Sequence, residues 1–118
     1  MAETKEGRCI MAEKQDLRGK PIALADSIAY ADGAIVSKTL LDKKTGTLTL
    51  FSFAEGQGLS EHTSPYDATV HVLEGEAVLT LGGQRVEAKA GELVIMPAGI
   101  PHDVRAEKPF KMLLIMIR

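Results

Sequence analysis

Apolar and polar positions alternate with a period of two along much of this chain, and glycine or proline breaks the alternation at short intervals. In "TLTLFSFA" (47–54), Leu48, Leu50 and Ser52 fall on one face and Thr47, Thr49, Phe51 and Phe53 on the other. Both faces carry apolar groups, which predicts burial on both sides. "GAIVSKTLL" (33–41) is rich in β-branched residues and leucine, and "DKKTG" (42–46) reads as the turn that follows it. "ATVHVLEGEAVLTL" (68–81) predicts two strands around Glu74–Gly75, and "GG" at 82–83 a hairpin turn. "QRVEAKAG" (84–91) reads as an exposed strand and turn, and "ELVIMPAGIPHDVRA" (92–106) as a strand, a Pro/Gly turn and another strand. "FKMLLIMI" (110–117) is apolar throughout, so it should be a central or covered strand and not an open edge.

Between these strands, "GQGLSEHTSPYD" (56–67) is loop-like by its glycines and proline, and "PIALADSIAY" (21–30) fits either a short helix or a strand. Residues 1–20 are polar and charged with no period, which predicts a tail or loose helix ahead of a domain over 21–118. About eight short strands with turns every 8–12 residues indicate an all-β, jelly-roll-like barrel in a single domain.

Composition narrows the function classes. The chain has 118 residues, enough for one domain that buries a core without staples. Its formal charge is −2 and it has no block of Lys or Arg, which argues against a nucleic-acid partner. The most basic stretch, "RAEKPFK" (105–111), reads as a solvated turn and strand edge. The single cysteine, Cys9, excludes an internal disulfide, reads as a free thiol in the tail and fits a reducing cytoplasm. No signal-peptide core is visible, and Met11 could serve as an alternative start to Met1. The longest apolar run, "MLLIMI" (112–117), falls well short of the ~20 residues that span a bilayer, so no membrane partner is expected.

Two segments carry chemistry-bearing residues at regular spacing. In the first, Gly56 is followed after five residues by His62, then Ser64, Ala68 and Gly75. In the second, Gly91 is followed after five residues by Pro97, then Gly99 and His102. The frames resemble the two motifs of the cupin superfamily, G-x5-H-x-H-x3,4-E-x6-G and G-x5-P-x-G-x2-H-x3-N, and 15 residues separate Gly75 from Gly91. The resemblance covers roughly residues 33 to 118 and implies a cupin double-stranded β-helix barrel.

The resemblance also implies a metal site, and here the chain departs from the pattern. A typical metal-binding cupin uses three histidines and a glutamate. His62 and His102 occupy the first and last histidine positions. Ser64 stands at the second histidine, Ala68 at the glutamate and Ala106 at the closing asparagine. A divalent ion (Fe, Mn, Ni or Zn) held by two imidazoles needs a further donor. Asp67, one residue before the glutamate position, is the candidate. Ser64, Tyr66 and Ala68 are expected to line the adjoining pocket, Ser64 holding at most a water. If 68, 70 and 72 face inward, His71 faces outward as a surface or interface histidine. Met96, Met112 and Met116 read as core fillers.

Two functions follow as expectations. One is a metal-assisted enzyme of the dioxygenase, isomerase or lyase type, acting on a small polar substrate. The other is a metal-free module that binds a small molecule, with His62 and His102 as hydrogen-bonding groups. Small cupins commonly pair, and apolar residues on both strand faces suit a homodimer.

Overall fold

The computed structural model describes residues 16–118. The first fifteen residues, with Cys9, Met11 and most of the expected 1–20 tail, lie outside the described residues. Nine strands follow in order: β1 (Ile35–Lys43), β2 (Gly46–Phe53), β3 (Gly58–His62), β4 (Ala68–Glu74), β5 (Glu76–Leu81), β6 (Gln84–Lys89), β7 (Leu93–Met96), β8 (His102–Arg105) and β9 (Phe110–Ile117). The only helical turn among the described residues is a 3-10 turn at Ala25–Ser27, so "PIALADSIAY" forms no strand.

The strands form two antiparallel sheets. One has the order β1-β2-β9-β4-β7 and the other β3-β8-β5-β6. The apolar C-terminal strand β9 is the middle of five, as its composition requires. The main core lies between the sheets. Phe53, Val70, Val72, Met96, Phe110 and Met112 from one sheet meet Ala77, Leu79 and Val104 from the other. The Phe53 and Phe110 rings stack at 4.7 Å and 5°.

The five-stranded sheet is buried on its outer face too. Leu50, Leu113 and Ile28 form a second cluster there, with Leu24, Val36, Leu48 and Ile115 packed against it. The cover is the segment around the 3-10 turn, and three side chains tie it down through its carbonyls. Lys111 Nζ donates to Ala25 O at 2.6 Å, Lys38 Nζ to Ser27 O at 3.4 Å and Ser52 Oγ to Ala29 O at 2.8 Å. Lys111 is thus only 8% exposed. This corrects the reading of 105–111 as a solvated edge: residues 110 and 111 belong to the central strand, and its outer face lies under the covering segment.

Three glycines turn the chain between strands at positive φ. Gly75 turns β4 into β5 at φ +78, and a Cβ there would come within 2.6 Å of Pro109 O. Gly82 and Gly83, both at positive φ, form the two-residue hairpin between β5 and β6.

Candidate functional site

Strand β3 falls in a segment that its glycines and proline mark as loop. It forms because it pairs with β8, more than forty residues on in the chain. Gly58 permits the approach, since a Cβ would strike the Val104 carbonyl. Leu59 pairs with Val104 and His62 with His102, so one extra residue is accommodated on β3. Such a bulge re-aims the strand end, and here it brings the two motif histidines into direct register.

The rings meet edge to face, with centroids 4.4 Å apart and planes at 74°. Their Nε2 atoms are 3.2 Å apart. His62 Nδ1 lies 2.7 Å from Ser60 O, and His102 Nδ1 3.2 Å from Ile100 O. A carbonyl can only accept, so both Nδ1 atoms carry the proton and donate it. In the neutral rings both Nε2 atoms then present lone pairs, and no proton lies between them. Burial, and next the neighbouring His62, hold the His102 imidazole below the usual histidine range. The Ile100 carbonyl and Asp103 act the other way and are outweighed. The charged form of His102 is therefore disfavoured.

One cation between the rings would satisfy both lone pairs, with His62 Nε2 and His102 Nε2 as its protein donors. His102 is 2% exposed while His62 stands open, so one side of the pair faces the barrel interior and the other the solvent.

The other expected site residues are placed differently. Among the described residues, no group of three His, Cys, Asp or Glu side chains is arranged to hold a metal. Asp67 is therefore not grouped with the histidines. Its Oδ1 accepts from Ala98 N at 2.8 Å. Ser64 Oγ accepts from Tyr66 N at 3.1 Å, and Ser64 O accepts from Gly99 N at 2.9 Å. Asp67 and Ser64 thus join loop 63–67 to loop 97–101, the two loops that deliver His62 and His102. Their local signal is a Ser and an Asp flanking Pro65, a turn-forming composition; the partner loop cannot be read from it.

Ala68, Val70 and Val72 are buried at 2%, 0% and 0%, so they face inward and His71 lies on the opposite face. Ala68 pairs with Met96 on β7 and with Met116 on β9, so two methionines flank the position where the motif would carry glutamate. Tyr66 and Asp67 line a cleft of about 420 Å³ with Thr69, Ile95 and Ile117. These strand residues alternate with Ala68, Met96 and Met116, so the cleft lies outside the barrel. Ser64 and Ala68 do not line it.

A family model described as cupin domain matches residues 49–117. No curated protein matches the chain. The solved structure of a conserved protein of unknown function from Streptococcus pyogenes is similar, with a TM-score of 0.81 and 33% identity. That match covers 86% of this chain and 89% of the other. A cupin superfamily protein from Desulfitobacterium hafniense matches with a TM-score of 0.81 and 30% identity, over 90% of this chain and 98% of its own. A cupin 2 conserved barrel domain protein from Leptotrichia buccalis is 43% identical with a TM-score of 0.80 over 82% of this chain. The match covers 47% of that longer chain.

Proposed function

The chain belongs to the cupin domain family, and from that premise we propose that it is a metal-binding cupin in which His62 Nε2 and His102 Nε2 hold one transition-metal ion. The observation that carries this reading is the approach of the two Nε2 atoms to 3.2 Å, with the Nδ1 of each ring turned to a backbone carbonyl. Such an ion would supply Lewis acidity and open positions for a small polar ligand. The residues of the chain do the orienting. Ser60 and Ile100 set the rings, and Ser64 and Asp67 clamp the loops behind them.

The Asp67 carboxylate belongs to this proposal as a positioning group. Its bond to Ala98 N fixes the turn before His102. With only two protein donors of the usual kind, the ligand itself would complete the coordination.

A homodimer belongs to the same reading. β7 ends its sheet, and Leu93, Ile95 and Ile117 are 52%, 58% and 68% exposed on the outer face. A second copy would cover that face and its open strand edge.

The experiment is elemental analysis of the purified native protein beside His62→Ala and His102→Ala. The expected result is one transition metal per chain, lost from both variants. Protein that stays metal-free after incubation with each candidate ion overturns the reading. The metal-free alternative, a small molecule hydrogen-bonded by the two histidines, would then take its place.

A further inference from the structure

We propose that the site is built for a soft, low-coordinate cation, copper(I), with Met96 and Met116 as thioether donors beside His62 and His102. The proposal rests on the reading of the two histidines as ligands and adds the donor set on the facing sheet.

The register places these residues together. His62 ends β3 and His102 begins β8, and they are partners in the four-stranded sheet. Ala68 begins β4 and Met96 ends β7, and they are partners in the five-stranded sheet. The loops 63–67 and 97–101 link the first pair to the second, so both pairs stand at one end of the barrel. Met116 joins the row from the other side of Ala68. Met96 is 3% exposed, and it packs in the same core as Val104, which follows His102 by two residues on the same face of β8. Facing sheets are about 10 Å apart, a gap that an imidazole from one side and a thioether from the other span together.

The chemistry of the donors selects the ion. Ala68 offers a methyl group at the inner position where a carboxylate would favour a hard divalent ion. Among the described residues no Asp, Glu or Cys joins the histidine pair. Neutral imidazole and thioether donors favour copper(I), which carries one charge and tolerates few ligands. Methionine is flexible enough to bring its sulfur to a bound ion without a change of backbone.

The test is anaerobic competition against a chromophoric copper(I) chelator, with zinc(II) affinity measured in parallel. It uses the native chain, Met96→Leu/Met116→Leu, and His62→Ala/His102→Ala. Leucine conserves volume, and retained zinc(II) affinity shows that the methionine variant keeps its fold. The native chain is expected to hold copper(I) more tightly than zinc(II). The methionine variant should lose about ten- to a hundred-fold in copper(I) affinity with zinc(II) unchanged. Copper K-edge absorption of the native complex should show sulfur bonded to the metal. Unchanged copper(I) affinity in the methionine variant, or a copper shell without sulfur, overturns the thioether assignment and leaves the two-histidine reading standing. Failure of the native chain to bind either ion overturns both.

Discussion

His62 and His102 are forty positions apart in the chain, yet they are direct cross-strand partners with their Nε2 atoms 3.2 Å apart. Each ring is held from behind by a carbonyl two residues before it, Ser60 and Ile100 respectively. This double anchoring fixes the tautomers, and so fixes what the pair can bind.

The buried ring makes stability pH-dependent in the metal-free protein. His102 is held below its ordinary value of 6.5, first by burial and then by His62. As pH falls through that value the unfolded chain takes up a proton that the folded ring resists. The unfolded state then binds more protons, and folding stability drops. Denaturation in the presence of a chelator should give a lower midpoint at about pH 5.5 than at about pH 7.5. His102→Gln should flatten that difference. An identical pH dependence in the variant would mean that His102 is not its source.

Asp67 should act on the turn and not on the ion. Its Oδ1 accepts from Ala98 N, and an asparagine oxygen can do the same. Asp67→Asn should leave metal affinity within a factor of about three, and Asp67→Ala should cost about 1 kcal/mol of stability. A large loss of affinity in Asp67→Asn, with stability unchanged, would make the carboxylate a ligand after all.

Lys111 ties the N-terminal cover to the central strand. Its ammonium donates to Ala25 O and lies 4.9 Å from the centre of the Tyr30 ring. Glu74 stands 3.9 Å away and accepts from Tyr30 OH at 2.6 Å. Burial, and next the Glu74 carboxylate, push the Tyr30 phenol well above its ordinary range, so it stays a donor. Lys111→Met keeps the stem but leaves the Ala25 carbonyl without its partner. Chemical denaturation should show a loss of about 1–3 kcal/mol. A neutral result would mean that Lys38, Ser52 and the packing of Ile28 and Leu24 hold the covering segment without Lys111.

The outer edge of β7 predicts association. Light scattering coupled to size exclusion should find a dimer at micromolar concentration, and Ile95→Asp should convert it to a monomer with unchanged secondary structure. A native monomer would contradict the assignment of this face.

Much of this was legible in the chain. The two motif frames identify His62 and His102 as a pair, and strand alternation separates His71 from them because 68, 70 and 72 are buried. The unread parts share one physical cause. Each depends on a partner far away in sequence. The segment 58–62 is a strand because β8 lies beside it, not because of its own composition. Asp67 sits next to the motif's glutamate position, yet its carboxylate accepts from an amide 31 residues away. Lys111 looks solvated among charged neighbours until the 3-10 turn is laid over it. Met96 and Met116 each look like core filling alone, and only the register sets them on either side of Ala68.

The most direct test of the central claim is long-range proton–nitrogen NMR of the imidazoles during titration with a diamagnetic ion, zinc(II) or copper(I). The Nε2 resonances of His62 and His102 should shift together, both Nδ1 atoms should keep their protons, and His71 should not respond. A titration that leaves either Nε2 unmoved, or that moves His71 as strongly, would contradict the claim.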